Sequence, residues 1–178
     1  ETELNQQAVQ LYGDGKYAAA TELMEKALQV FKRLYPPEKF PDGHLDLATT
    51  LYNLGFLLKA QSEYGKAEPF YRDALGMYKK LYPADKYPDG HPALATSLND
   101  LGILLAARDD YGKAEPYFRD ALDMYQRLYP PDKYPDGHPD LATSLNNLGV
   151  LLDDRGEYGA AAATLAEGAA MYDRLTVA

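Results

Sequence analysis

The sequence contains no cysteine. That excludes a disulfide framework and a thiolate metal site, and it assigns no compartment. Basic residues are also scarce: 18 Lys and Arg stand against 27 Asp and Glu, for a formal net charge of −9. Nucleic acid is therefore excluded as a partner, because phosphates are neutralised by clustered Lys and Arg. The same deficit argues against an acidic membrane surface. No apolar run approaches membrane-spanning length, and no signal peptide is visible. A nucleophile–base–acid set and a phosphate-binding glycine loop are both missing. No catalytic residue, cofactor site or metal site is assigned, and the chain reads as a non-enzyme. The start at Glu1 without Met reads as an excised or processed piece; a cytoplasmic location is the expectation.

What the sequence does contain is a repeat. The phrase that runs from Tyr134 through Pro135-Asp136-Gly137-His138 to Gly149 is a third copy, after copies beginning at Phe40 and Tyr87. His44, His91 and His138 lie 47 residues apart, and residues 44–90 match 91–137 without a gap at 31 of 47 positions. Self-similarity at such a period marks a solenoid built from one supersecondary unit. Within each unit apolar residues recur by threes and fours, the pattern of amphipathic helices. One unit runs Leu51, Leu54, Gly55, Leu58, then Tyr64, Ala67, Tyr71, Ala74; the next runs Leu98, Leu101, Gly102, Leu105, then Tyr111, Ala114, Phe118, Ala121. Small residues at Gly55 and Ala67 let two antiparallel helices approach, and Leu51, Leu58 and Tyr71 fill the space around them.

Helices are expected over 1–13, 16–35, 45–60, 63–82, 92–107 and 110–129, with a last pair in 139–178. Gly13-Asp14-Gly15 ends the first helix, and Pro36-Pro37 stops the second. Pro69 and Pro116 fall inside helices, where each removes one hydrogen bond. Pro92 and Pro139 suit a first helical position. The three Asp-Gly-His triplets read as a turn and a helix start. A shared metal would need its ligands within about 2.3 Å, whereas equivalent points in adjacent units are separated by two helix widths, roughly 16–20 Å. The sixteen tyrosines recur at fixed places and read as packing.

This large–small arrangement resembles the tetratricopeptide repeat (TPR), a helix–turn–helix unit. Residues 91–102 and 138–149, together with 64–69 and 111–116, are similar to the kinesin light chain subtype. The longer loop L-Y-P-x-[DE]-K-[FY]-P-D-G departs from that subtype and resembles bacterial multi-repeat proteins, often fused to a CHAT domain or a kinase. The resemblance implies an all-α fold, a right-handed α–α superhelix of four TPR helix pairs with a 47-residue period. It implies a single array over residues 1–178, with units at about 1–43, 44–90, 91–137 and 138–178.

In that family the first helix of each pair lines a concave, peptide-binding groove. The resemblance places Thr49, Tyr52, Asn53, Phe56 and Lys59 there, on one stripe by their spacing. It adds Thr96, Asn99, Asp100 and Ile103, then Thr143, Asn146, Asn147, Val150, Asp153 and Asp154, with Asn5, Val9 and Tyr12 from the first unit. Asn53, Asp100 and Asn147 resemble the asparagine ladder that holds a peptide backbone, since amides both donate and accept. The alternative is that these amides tie adjacent repeats together. The cationic clamps of related families have no counterpart here. The expected partner is thus a protein or an extended peptide with apolar anchors and a basic residue near Asp153 and Asp154. A sensor or adaptor segment of a larger bacterial signalling protein, and weak end-to-end self-association, are the other two readings.

Overall fold

The computed structural model describes residues 3–177, with the side chain of Asn5 outside the described set. Among the described residues there are eight helices and no strand: α1 Glu3–Gly13, α2 Tyr17–Leu34, α3 Leu45–Ala60, α4 Tyr64–Leu81, α5 Pro92–Ala106, α6 Tyr111–Leu128, α7 Pro139–Asp154 and α8 Tyr158–Val177. This is an all-α repeat fold. The chain divides into two compact units, Glu1–Pro83 with α1–α4 and Ala84–Ala178 with α5–α8. Pro69 and Pro116 lie inside α4 and α6, and Pro92 and Pro139 occupy first-turn positions of α5 and α7.

The α3–α4, α5–α6 and α7–α8 pairs each close on a glycine of the first helix, where α1 carries the buried Ala8. A Cβ on Gly55 would stand 2.9 Å from the Tyr71 ring, and one on Gly102 would stand 2.9 Å from the Phe118 ring. The flanking leucines Leu54, Leu58, Leu101 and Leu105 are buried. The two helices are also tied by side chains. The Thr49 and Tyr78 hydroxyls lie 3.3 Å apart, those of Thr96 and Tyr125 2.9 Å, and those of Thr143 and Tyr172 2.6 Å.

The three histidines start helices. His44, His91 and His138 are extended N-cap residues of α3, α5 and α7. Their Nδ1 atoms accept from the backbone N–H groups of Asp46, Ala93 and Asp140 at 3.3, 3.1 and 3.2 Å. Each thereby satisfies one of the donors that a helix leaves open at its N-terminus. Tyr35 stacks on His44 and Tyr129 on His138, with ring centroids 3.5 Å apart in both cases. The glycine before each histidine has positive φ, at 85°, 90° and 92°. A Cβ at Gly43 or Gly90 would also come within 2.5 Å of the Met77 or Met124 side chain. Conformation and contact therefore both demand glycine.

Candidate peptide-binding faces

In the first unit the 3–4 spacing of α3 sends Leu51, Leu54 and Leu58 inward and leaves Tyr52, Asn53, Phe56 and Lys59 half-buried on the other side. Val9 and Tyr12 of α1 meet Asn53 and Phe56 of α3 around one hollow of about 120 Å³ that reaches Met24 of α2. The Tyr12 and Phe56 rings lie 5.1 Å apart with a 51° tilt. Lys59 Nζ sits 5.5 Å from the Phe56 centroid, within range of a cation–π attraction of about 0.5–1 kcal/mol at an exposed site. Val9 is 70% exposed at the mouth. Tyr52 is turned onto Tyr71, edge to face at 5.5 Å. The expectation for the Asn5 side chain lies outside the described residues.

In the second unit Asn147 Nδ2 of α7 donates to Asn99 Oδ1 of α5 at 3.1 Å, so the ladder amide of Asn147 is bound to a groove amide of the neighbouring repeat. Asn146 and Val150 are exposed, Ile103 is half-buried, and Asp100 is buried. Asp153 and Asp154 are exposed at the end of α7, and neither makes an ion pair among the described residues. The adjacent cation, Arg155, is engaged elsewhere: it pairs with Glu115 of α6 and, at 3.0 Å, with Glu157. The Glu115 carboxyl is held below its ordinary range, first by its hydrogen bond from Arg119 and further by the charges of Arg119 and Arg155.

The three threonines expected on this face have their hydroxyls on tyrosines of the second helices instead. Burial pushes the Tyr125 phenol up to about 12, against the opposing hydrogen bond with Thr96. Burial raises Tyr78 in the same way. The signal for these bonds was present in the sequence: Thr at 49, 96 and 143 and Tyr at 78, 125 and 172 keep a constant separation of 29. The triplets marked the helix starts, but not that the imidazole itself is the cap, because histidine is not among the preferred cap residues.

Residues 2–80 match one family model, and residues 94–140 and 141–175 match another; both are described as tetratricopeptide repeat. No curated protein matches the sequence. Among solved structures the chain is similar to BtubC (BKLC) from P. vanneervenii, with TM-score 0.79 and 23% identity, covering 96% of this chain and 62% of that one. It is similar to Podosopora anserina TPR-like repeats described as kinesin light chain, with TM-score 0.76 and 15% identity over 98% of this chain and 76% of that one. The apo form of RapI superposes with TM-score 0.75 and 17% identity over 95% of this chain and 54% of that one. At these identities the likeness is one of fold. TPR folds serve as protein-interaction scaffolds, and with two models of that description covering most of its length, the chain belongs to the tetratricopeptide repeat family.

Proposed function

We propose that the first helices within each unit bind an extended segment of a partner protein, the first unit through an apolar anchor and the second through apolar contact and a basic residue. The observation that carries this reading is the hollow that gathers Val9, Tyr12, Asn53 and Phe56. An apolar side chain entering it would gain roughly 1.5–3 kcal/mol if fully buried. Ile103 and the exposed Val150 offer further apolar contact, and Asn53 and Asn146 supply amides for the peptide backbone. A basic residue at Asp153 and Asp154 would add only about 0.2–1 kcal/mol, because that site is exposed.

The test is calorimetric titration of a peptide panel, varied in apolar and charged content, against wild type, Phe56→Ala, Ile103→Ala and Asp153→Asn/Asp154→Asn. Apolar-basic peptides should bind best, the alanine variants should lose most, and the double Asn variant should lose least. Tightest binding of acidic peptides would sink this reading, as would affinities unmoved by Phe56→Ala and Ile103→Ala.

Self-association is a second reading, supported by Tyr172. This ring is 39% exposed, whereas Tyr125 at the same repeat position is 4% exposed. Met171, the neighbouring residue, is itself buried beside Gly137, so the apolar patch is narrower than the sequence implies. A mass that is constant across protein concentration would exclude this second reading.

A further inference from the structure

The three histidine caps share one backbone geometry, with φ of −141°, −142° and −140° at His44, His91 and His138. They differ in what stands beside the ring. Each Nδ1 accepts from the N–H two residues on, and it can do so only while the imidazole is neutral. A protonated Nδ1 is a donor and has no lone pair left to accept with. Its charge also faces the positive end of the helix dipole. For α3 and α7 a replacement is at hand. The Asp46 carboxylate lies 3.6 Å from His44 Nδ1, and that of Asp140 lies 3.6 Å from His138 Nδ1, so protonation exchanges the cap bond for an ion pair. α5 carries Ala93 at that position and has no acidic residue in its first turn.

The Tyr87 ring of the preceding loop stands edge-on to the His91 imidazole, with centroids 5.7 Å apart. Asp89 lies two residues before it in the same loop. α6 meets this loop where a Cβ on Gly90 would stand 2.5 Å from Met124, and the charged residues one turn to either side of Met124 are Asp120 and Arg127. Just before the loop, Lys79 and Tyr82 hold the repeat positions of Lys32 and Tyr35. The His91 pKa is lowered, and the cause is burial rather than any of these charges. With the folded-state value below the ordinary 6.5, the stability that the neutral ring contributes is complete above that pH and is lost as pH falls through the folded value.

We propose that the start of α5 is an acid-sensitive joint: when His91 takes up a proton, its cap opens and the first turn of α5 comes free together with the 84–90 loop, while the starts of α3 and α7 hold. This loop is where the chain enters the second compact unit. Acid thus loosens the chain at one of three places built on the same pattern. The joint does not depend on the peptide reading, and its test is separate.

The test is hydrogen exchange by NMR on the full chain at about pH 7.5 and about pH 5, which bracket histidine titration. Protection corrected for the intrinsic pH dependence should fall about fivefold or more at Ala93, Leu94 and Ala95, as for the loss of one cap, and should stay level at Asp46–Ala48 and Asp140–Ala142. Ala93→Asp installs the carboxylate that α3 and α7 carry. It should raise the pH at which the His91 ring titrates and keep Leu94 and Ala95 protected in acid. His91→Asn supplies a cap that does not titrate and should remove the pH dependence at α5 alone. Circular dichroism confirms that both variants remain helical. An acid loss equal at the three helix starts, no loss at α5, or a loss that survives in either variant would each overturn the proposal.

Discussion

The two compact units are made from the same parts and carry very different charge. Residues 1–83 hold ten Lys and Arg against eleven Asp and Glu; residues 84–178 hold eight against sixteen. Nearly the whole of the net −9 therefore belongs to the second unit. What stays constant between them is steric: Gly55 under Tyr71 and Gly102 under Phe118, the Thr–Tyr hydroxyl pairs, the histidine caps. The lesson is that packing fixes a position wherever two backbones must approach, while the solvated positions between are left to set what each unit attracts.

The strongest way to break the equivalence of the units is to empty their cores. Leu54 and Leu101 occupy the same repeat position and are both fully buried. Leu54→Ala and Leu101→Ala should each cost about 2–5 kcal/mol in chemical denaturation. The first repeat has the exposed Gln7 at that position, and Gln7→Ala should stay within about 0.5 kcal/mol. Unequal losses at Leu54 and Leu101 would show that the units do not share one packing scheme.

Two glycines of the first unit should respond with opposite sign. Gly43 has φ of 85° and its absent Cβ would overlap Met77, so Gly43→Ala should destabilise by roughly 1–3 kcal/mol. Gly76 is helical with open space around it, so Gly76→Ala should stabilise by about 1 kcal/mol. Thermal melts of the two variants on the same scale read the difference directly.

A smaller effect comes with pH. The folded-state phenol of Tyr125 is raised to about 12 from 10.0 by burial. A raised pKa means that the folded chain keeps the proton longer than the unfolded one. The associated stability is complete below pH 10 and is lost as pH climbs from there through 12. Ultraviolet absorbance at 295 nm should show this phenol ionising with alkaline unfolding, and Tyr125→Phe should remove its share of the transition. Smallest of all is the exposed acidic end of α7. Asp153→Asn/Asp154→Asn should leave the unfolding free energy within about 0.5 kcal/mol of wild type, and added salt should reduce its effect on binding of a basic peptide.

Most of the architecture could be read from the chain, because its cause is periodic. Apolar residues at threes and fours located the helices to within a residue or two, and Gly55, Ala67 and Tyr71 announced close helix pairing. The face of α3 was legible for the same reason. What was hidden lacked a local period. The turn inside each repeat places a residue in the left-handed region, and at Ser62 and Asp109 that residue is not glycine, so only Gly15 and Gly156 betrayed it. The amide of Asn147 could have faced a peptide or a neighbouring repeat, and spacing cannot tell those apart; its bond to Asn99 is a contact across 48 residues.

Several ties that hold the repeats are short in sequence: 11 residues from Tyr35 to Asp46, 29 from Thr49 to Tyr78, 40 from Thr21 to Gln61 and 48 from Asn99 to Asn147. A chain tied in this way has a mechanical signature. Pulled by its two ends, it should yield as a series of low, similar force steps, one helix hairpin at a time. On release each hairpin can re-form from residues close in sequence, without waiting for a distant partner. Such a chain behaves as a spring that gives and recovers in increments.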